Sequence, residues 1–342
     1  MDGTVARYPV AGTANIGPGT PGSLDPVDIR AWAPGRVNLI GEHTDYSGGL
    51  VFPMAIQLGT TVEGDLLDGE IRLRSDDQPD PLHLTLPVVD PAAVTPAWGR
   101  YVAGVASELA VETGLDGRVA SNLPAGAGLS SSAALEVAVA LALGAADEYS
   151  PDEIAAVAQR AEFAATGVPC GIMDQLASAR GVAGHALRID CTTFEVTAVP
   201  VGDDVAVVVI HSGQERQLAD SAYAERRAQC EAAAAIVGPL RQATLESLDA
   251  IEDSVVARRA RHVISENGRV DEFAAALAAG DHAAAGAAMA ASHASLRDDF
   301  DVSTPVLDEL VEHLRGVDGV HGARLTGAGF GGCVVALCRP GV

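Results

Sequence analysis

The sequence lacks lysine altogether: all 22 of its basic residues are arginine, against 46 aspartate and glutamate residues and a formal net charge of −24. Without a lysine amine, the chain cannot use the lysine of a Walker-type phosphate loop, the strand lysine of protein kinases or a Schiff base. Backbone N–H groups, hydroxyls, arginine or a metal ion must therefore hold any bound phosphate group. The negative charge argues against nucleic acid and against an anionic membrane as partners, because both attract basic surfaces.

Cysteine pairs and long apolar runs are also missing. The five cysteines form no CxxC pair, so the sequence predicts neither a disulfide framework nor a zinc site, and Cys333 and Cys338 are predicted to be core thiols. The longest strongly apolar stretch, residues 205–210, is far too short to span a bilayer, and no signal-peptide pattern is visible at the N-terminus. A reducing, cytoplasmic setting without a membrane partner is expected.

The 342 residues are enough for two hydrophobic cores. Residues 1–28 are rich in Gly, Pro and Thr without periodicity, which predicts a poorly ordered tail. Short apolar runs dominate up to about residue 185, and long Ala- and Arg-rich helical segments follow. The sequence therefore predicts the α+β class, with one domain over residues 29–185 and a second over residues 186–342.

Hydrophobic spacing and turn signals predict the individual elements. Strands are predicted at residues 51–56, 60–66, 71–73, 119–123, 186–189, 205–210, 323–326 and 333–337. Helices are predicted at residues 98–109, 131–145, 220–237, 249–265, 270–279 and 282–292, and two more begin near Met173 and Pro305. The clearest helix start is Ser150-Pro151, where Glu153 completes a capping box, and this helix is predicted to end at Gly167.

The segment AGAGLSSSAA at residues 125–134 is suited to binding phosphate without lysine. Its glycines allow backbone N–H groups to approach a ligand closely, and the helix that follows presents the positive end of its dipole. Three serines at the helix start add hydroxyl donors and a ligand that Mg²⁺ accepts. The residues alone leave a second interpretation open, a glycine-rich turn with serine caps.

A second segment, residues 34–46, places five polar or ionisable side chains between apolar residues. Carboxylates and a histidine can bind several hydroxyls of a sugar, and a guanidinium can neutralise charge on a phosphoryl group. The alternative is a polar turn with a surface ion pair. The side chains are Arg36, Asn38, Glu42, His43 and Asp45.

Two carboxylates form a third candidate group. Glu162 lies late in the capped helix, and Asp174 follows a Pro-Cys-Gly turn at the start of the next helix. One is suited to Mg²⁺ and the other to the proton of a substrate hydroxyl, although a helix cap and a solvated surface residue are the alternative. The glycine-rich segment 327–332 lies between two predicted strands and indicates a close approach of the backbone to another group.

These segments, in this order, resemble those of the GHMP small-molecule kinases and, among them, the galactokinases. GRVNLIGEHTDY at 35–46 is similar to the galactokinase signature, PAGAGLSSSAALE at 124–136 to the phosphate-binding motif and TGAGFGGC at 326–333 to the third motif. CGIMDQ at 170–175, SAYAERRAQCE at 221–231 and SHASLRDDF at 292–300 are also similar. The resemblance implies a two-domain GHMP kinase fold. An N-terminal mixed-sheet domain with helices and a C-terminal, sandwich-like α+β domain would flank an active-site cleft.

The resemblance also implies roles for individual residues. Asp174 corresponds to the catalytic aspartate that faces the C1 hydroxyl of the sugar, and Arg36 to the arginine beside it. The residues implied to bind the sugar are Glu42, His43, Asp45, Gly171 and Tyr223. Those implied to bind ATP are Gly126, Ala127, Gly128, Leu129, Ser130, Ser131, Ser132, Trp98 and Tyr101, and Mg²⁺ would contact Ser132 and Glu162. For Trp98 and Tyr101, one apolar helix face in the core is an equally open interpretation.

The activity implied is phosphorylation of the anomeric C1 hydroxyl of D-galactose by ATP and Mg²⁺, the first committed step of galactose catabolism, by a monomer. Alternatives are a kinase for another sugar, such as N-acetylgalactosamine or arabinose, and a regulator that binds galactose and ATP without chemistry. The presence of Ser131, Ser132 and Ala133 favours an enzyme. The chain departs from the family at Ser47 and Ala224, where asparagine is common, at Ala328, where glycine is common, and at the N-terminus, where a helix is usual.

Overall fold

The computed structural model describes residues 6–7, 15–16, 29–124, 126–214 and 219–342. Apart from two short strands, residues 1–28 lie outside these ranges. The predicted poorly ordered tail therefore falls on residues that the structure does not describe. None of the helices in the described part of the chain is long and apolar enough to cross a membrane.

The strands of the described residues are β1 Ala6–Arg7, β2 Asn15–Ile16, β3 Ile29–Asn38, β4 Leu50–Val51, β5 Pro53–Asp68, β6 Glu70–Ser75, β7 Leu82–Thr85, β8 Thr113–Ser121, β9 His185–Asp190, β10 Val196–Pro200, β11 Ala206–His211, β12 Val320–Thr326 and β13 Cys333–Cys338. The helices are α1 Gly99–Glu108, α2 Ser131–Ala142, α3 Pro151–Thr166, α4 Met173–Arg180, α5 Ala219–Val237, α6 Ser254–Ala278, α7 His282–Asp298 and α8 Pro305–Arg315. Short 3-10 turns occur at Asp45–Ser47, Pro91–Ala93, Ala145–Asp147 and Leu245–Ala250.

The strands form three sheets. A six-stranded sheet has the order β2-β3-β5-β8-β6-β7 and is mixed, because β6 and β8 run parallel while its other pairs are antiparallel. A four-stranded antiparallel sheet has the order β1-β11-β13-β12, and a three-stranded sheet has the order β10-β9-β4. The α+β class with a mixed N-terminal sheet is confirmed. The domain boundary at residue 185 stays a prediction. Strand β4 of the first predicted domain pairs with β9, which lies almost wholly in the second, so the sheets do not separate at this residue.

A shared hydrophobic core joins the two halves of the chain. Phe52 and Leu129 from the first half belong to the same buried cluster as Val207, Phe273 and Val335 from the second half. Burying apolar surface from both halves in one cluster stabilises them together. Apolar residues of the motif segments, such as Leu39 and Leu129, belong to this cluster, so the core packs directly against the segments that carry the polar motifs.

Helix α3 begins and ends as predicted. The Ser150 side chain accepts a bond from the Glu153 N–H, the Glu153 carboxylate accepts one from the Ser150 N–H, and Gly167 ends the helix with φ 72°. The structure also confirms α8, whose N-cap Thr304 accepts a bond from the Leu307 N–H. These caps fix the positions of the helices near the site.

Two predicted breaks are wrong, and three strands after residue 28 were missed. Residues 51–56 and 60–66 are not separate strands, because β5 continues through Gly59, where an added Cβ would lie 2.3 Å from the Ala33 carbonyl oxygen. Residues 249–265 and 270–279 are not separate helices, because α6 runs unbroken for 25 residues. Strands β3, β7 and β10 were not predicted.

Candidate active site

An ion pair between Arg36 and Asp174 lies at the centre of the candidate site. Arg36 follows an irregularity in the pairing of β3, and Asp174 is in the first turn of α4. Arg36 Nε donates to Asp174 Oδ1 and Arg36 Nη2 to Asp174 Oδ2, both at 2.8 Å. This two-bond geometry fixes the orientation of both side chains. Arg36 Nη1 also donates to the Gly128 carbonyl oxygen at 2.7 Å, so the pair is tied to the predicted phosphate loop.

Ser130 connects the same loop to the carboxylate. It has a left-handed conformation at the N-cap of α2, with φ 59°, and its side chain makes no capping bond. Instead, Ser130 Oγ donates to Asp174 Oδ2 at 2.5 Å. The loop also packs closely on β3, because a Cβ added at Gly35 would lie 2.5 Å from the Leu129 carbonyl oxygen. Ser130 was predicted to bind ATP, and the structure places its hydroxyl on Asp174.

A cavity of about 170 Å³ opens beside this pair. It is lined by both predicted catalytic residues, all five predicted sugar-binding residues and the predicted metal ligand Glu162. Their roles stay predictions, but residues far apart in the sequence are brought to one place. The lining residues are Arg36, Glu42, His43, Asp45, Glu162, Cys170, Gly171, Met173, Asp174, Tyr223, Gly327 and Ala328.

Asp45 and Gly171 approach each other closely at the cavity wall. A Cβ added at Gly171 would lie 1.8 Å from Asp45 Oδ2, so any larger residue at this position would displace the Asp45 side chain. Burial and the nearby charge of Asp174 raise the pKa of Asp45 to about 6, against the opposing effects of the Tyr46 N–H and the Arg36 charge. Asp45 is therefore a carboxyl group that changes its charge near neutral pH.

His43 lies between aromatic rings and a carbonyl group. It has φ 61°, and its Nε2 lies 3.0 Å from the Ala328 carbonyl oxygen, which can only accept. Nε2 is therefore the donor, and Nδ1, which lies 3.1 Å from the Tyr46 hydroxyl, accepts from it. The Tyr223 and Phe300 rings lie 5.6 Å and 4.6 Å from the His43 ring. The ring orientation is thus fixed from several directions.

Glu42 is bound on its inner side by residues of the third motif. Its Oε1 accepts the Gly327 N–H at 2.8 Å and the Thr326 hydroxyl at 3.2 Å, and its Oε2 lies 2.5 Å from Arg324 Nη2. Arg324 is fully buried. Burial raises the pKa of Glu42, although the charge of Arg324 opposes this shift. Glu42 therefore links the sugar signature to the glycine-rich turn, and its predicted sugar contact stays a prediction.

The two predicted Mg²⁺ ligands are in direct contact. Ser132 Oγ donates to Glu162 Oε1 at 2.8 Å, and Glu162 Oε2 accepts from Gln175 Nε2 at 2.6 Å and from the Cys170 thiol at 3.4 Å. Glu136, fully buried, lies 3.4 Å from the same Gln175 nitrogen. Burial and the neighbouring carboxyl groups raise the pKa values of Glu136 and Glu162. A hydroxyl beside a crowded carboxylate is an oxygen set that suits Mg²⁺.

A second cavity, of about 440 Å³, lies beside the serine-rich helix start. Trp98 and Tyr101 line it together with Ser131 and Ser132, which agrees with a nucleotide pocket that continues into the phosphate loop. The Trp98 indole N–H donates to the Asp80 carbonyl oxygen at 3.2 Å, and both aromatic rings are partly exposed.

The remaining loop residues differ in what they can offer to a ligand. Gly126 has φ 69° and open space around its Cα. Ala127 and Leu129 bury their side chains in the shared core, so only their backbone groups are available. The Gly128 carbonyl is occupied by Arg36.

Sequence reasoning gave no role to Cys170 and Met173 of the cavity lining, and it missed the supporting side chains Glu136, Gln175 and Arg324. Glu136 is the single charged residue within the apolar helix α2, four positions after Ser132, and that isolation was a usable signal. Gln175 directly follows Asp174. Arg324 offered no local signal, because its partner Glu42 is distant in the sequence.

Comparisons with known proteins agree with this geometry. The family model of the galactokinase galactose-binding signature matches residues 23–65, that of the GHMP kinase N-terminal domain residues 100–182 and that of the GHMP kinase C-terminal domain residues 273–341. Human galactokinase is 47% identical over 330 residues, which covers 91% of this chain and 83% of the relative. The galactokinase of Bos taurus is 47% identical over 332 residues, with the same coverage.

Solved structures show the same relationship. The crystal structure of Lactococcus lactis galactokinase complexed with galactose matches with a TM-score of 0.86 and 35% identity, over 91% of this chain and 85% of that chain. The Methanococcus jannaschii mevalonate kinase, at a TM-score of 0.67 and 22% identity over 94% of this chain and 92% of its own, shares the fold. Signature, domains and relatives agree, and the chain belongs to the galactokinase family of the GHMP kinases.

Proposed function

We propose that this chain transfers the γ-phosphoryl group of ATP to the C1 hydroxyl of D-galactose, giving galactose 1-phosphate and ADP. The observation that carries the proposal is the position of the Arg36–Asp174 pair. One face of the pair lines the cavity with the predicted sugar-binding residues, and the other is bonded to Gly128 and Ser130 of the phosphate loop. A sugar in that cavity and a triphosphate on that loop would meet at the pair.

The reaction is an in-line phosphoryl transfer, in which positioning and charge stabilisation supply most of the catalysis. The C1 oxygen forms a bond to the γ-phosphorus, the bond from that phosphorus to the β–γ bridging oxygen breaks, and the hydroxyl proton passes to the Asp174 carboxylate. Arg36 and Ser130 hold that carboxylate in place. The Arg36 guanidinium also places a positive charge where negative charge spreads over the phosphoryl oxygens.

Ser132 and Glu162 are the residues that would hold Mg²⁺. Their oxygen atoms fit its ligand preference, and the described residues contain no group of three or more His, Cys, Asp or Glu suited to a metal. Mg²⁺, when bound, neutralises charge on the phosphate oxygens of ATP. Gln175 keeps Glu162 oriented toward the loop. A cytoplasmic location and a monomeric state remain the expectations from the sequence.

A sugar panel tests the proposal. The purified chain is incubated with MgATP and galactose, N-acetylgalactosamine, arabinose or glucose; ADP release is followed, and the product is identified by phosphorus NMR. We expect galactose to give the highest kcat/KM and an anomeric phosphate. Another preferred sugar, or no ADP release with any of them, would refute the proposed activity.

The Asp174→Asn variant tests the assigned chemistry. It keeps the shape of the side chain and removes the proton acceptor, so we expect kcat to fall about 10³-fold or more while galactose still binds. Asp318→Asn, at an exposed residue that lines neither cavity, is the matched control. Near-normal turnover by Asp174→Asn with galactose bound would show that the role assigned to Asp174 is wrong.

A further inference from the structure

Three buried side chains in the middle of α6 bond to the backbone of the segment that carries Glu42, His43 and Asp45. We call residues 41–50 the sugar loop. His262 Nε2 lies 3.0 Å from the Glu42 carbonyl oxygen. Glu266 Oε1 accepts the Gly41 N–H at 3.0 Å, and Asn267 Oδ1 accepts the Leu50 N–H at 2.7 Å. Both ends of the sugar loop are therefore bonded to one helix.

The spacing of these three residues explains how one helix reaches both ends of the loop. Positions 262 and 266 lie about one turn apart on α6, position 267 follows directly, and all three side chains are buried. The helix packs very close to the loop backbone. A Cβ added at Gly41 would lie 2.9 Å from Val270 Cγ2, and one added at Gly49 would lie 2.7 Å from Asn267 Oδ1. Glycines at both positions allow this approach.

Each of the three side chains is itself held by a further bond. The Ser295 hydroxyl lies 3.0 Å from His262 Nδ1 and the Ser292 hydroxyl donates to Glu266 Oε1 at 2.5 Å. Asn267 Nδ2 donates to the Val263 carbonyl oxygen at 2.7 Å. A fully buried network of this kind costs desolvation energy that an apolar contact would not, but it fixes the partners in one arrangement.

The protonation state of His262 follows from its partners. The Glu42 carbonyl oxygen can only accept, so Nε2 carries the hydrogen, and the bare Nδ1 faces the Ser295 hydroxyl, whose oxygen also lies 3.1 Å from Asp299 Oδ2. Burial lowers the pKa of His262 to about 4, so the ring is neutral at physiological pH. The carbonyl that it binds belongs to the peptide immediately before His43, a residue of the cavity wall.

We propose that His262, Glu266 and Asn267 are positioning residues for sugar binding. They do not line either cavity near the phosphate loop. They act through the backbone of the sugar loop, which they hold so that His43 and Asp45 face the sugar. The inference rests on the proposed function, because it assumes that galactose occupies the cavity lined by that loop.

A specific consequence separates this role from simple core packing. The network contacts the sugar loop and not the phosphate loop, so its loss should weaken sugar binding and leave nucleotide binding nearly unchanged. A general loss of structure would affect both ligands. The split between the two ligands is therefore the informative measurement.

The test uses His262→Phe, which keeps a ring and removes the donor, and His262→Gln, whose side-chain amide can donate at the position of Nε2. Leaving the buried Glu42 carbonyl unpaired should raise the Kd of galactose, measured by calorimetry without ATP, by roughly tenfold. The KM for ATP and kcat at saturating galactose should stay within about twofold. His262→Gln should recover most of the galactose affinity. His313→Phe, at an exposed histidine of α8, is the matched control.

Ser295→Ala is a second, milder variant, and it provides the same test if His262→Phe does not fold. It removes the bond to Nδ1, and we expect a two- to threefold higher galactose Kd, roughly the effect of one weakened hydrogen bond. An unchanged galactose Kd in the folded variants, or an equal loss for galactose and ATP, would overturn the inference. If the unaltered chain itself neither binds nor phosphorylates galactose, the proposed function fails instead, and the two failures are thereby distinguished.

Discussion

At the scale of single residues, the carboxyl groups of the cavity differ because their neighbours differ. Asp174 accepts two bonds from Arg36 and one from Ser130. Asp45 lies in the same cavity, where burial and the charge of Asp174 raise its pKa to about 6. Two acidic side chains of one cavity therefore differ in their electrostatic surroundings. Asp174 is paired with a cation, whereas Asp45 has a pKa close to neutral pH.

The raised pKa of Asp45 predicts a pH dependence of sugar affinity. A carboxylate accepts hydrogen bonds from sugar hydroxyls, and its protonation removes part of that capacity. As the pH falls through about 6 the carboxylate is lost, so the KM for galactose should rise, by roughly tenfold at one pH unit below the midpoint if only the ionised form binds. Initial rates measured between pH 4.5 and 8 at saturating MgATP check this.

Asp45→Asn is the control for that profile. It cannot titrate, so its KM for galactose should be higher than that of the unaltered chain at pH 8 and nearly constant across the same range. A profile that keeps the same inflection in Asp45→Asn would assign the titration to another group. The KM for ATP serves as the internal reference, because Asp45 does not line the second cavity.

How far the sequence predicts the site depends on whether a residue belongs to a local pattern. Arg36 and Asp174 lie in compact motifs, so the sequence predicts both as site residues, and the structure pairs their side chains. Arg324 was not predicted, because its role arises from Glu42, a partner in a turn far away in the sequence, and an isolated Arg before a glycine-rich turn has no distinguishing spacing. Partners that meet only through tertiary folding leave no local signal.

At the scale of elements, α6 shows where propensity fails. The sequence predicts two helices, at residues 249–265 and 270–279, and Asn267 and Gly268, which both disfavour helix interiors, lie between them. The structure has one helix of 25 residues, and Asn267 bonds to Val263 within the helix and to Leu50 outside it. Tertiary bonds therefore offset the poor propensity, and Asn267, which lies between the two predicted helices, is part of the proposed positioning network.

Gly268 predicts a stabilising substitution. It lies in the exposed interior of α6, and an added Cβ would meet nothing within 4 Å. Gly268→Ala should raise the free energy of unfolding by about 0.5–1 kcal/mol, because alanine loses less backbone entropy in a helix. Differential scanning calorimetry should show Tm higher by about 1–2 °C.

Gly286 is the matched control on α7. It is also helical, but an added Cβ would lie 1.8 Å from the His321 carbonyl oxygen. Gly286→Ala should therefore lower the free energy of unfolding, by about 1–3 kcal/mol, through overpacking. If both glycines gave the same change, the packing of α7 on β12 described here would be wrong.

At the scale of the whole molecule, the two halves are joined by a buried ion pair as well as by the shared core. Glu42 follows β3 in the first half, and Arg324 is on β12 in the second. Their charged atoms lie 2.5 Å apart with side-chain exposures of 2% and 0%. A buried pair contributes little relative to an apolar contact, but removal of one partner leaves an uncompensated charge. The pair therefore makes each half depend on the other.

Arg324→Met should lower the free energy of unfolding by an amount that depends on pH. Burial already raises the pKa of Glu42 above its usual value, and loss of the arginine charge that opposes this shift raises it further. A raised carboxyl pKa favours the folded state below the unfolded pKa, and that contribution is lost as the pH rises through the folded value. The free energy of unfolding, measured in urea, should thus fall by about 3–5 kcal/mol at pH 8 and by less at pH 5.

The double variant that combines Arg324→Met with Glu42→Gln is the control. It should lose most of the pH dependence, because no buried charge remains. An equal loss at both pH values, or a pH dependence that survives the double substitution, would show that the Glu42 charge is not what Arg324 compensates.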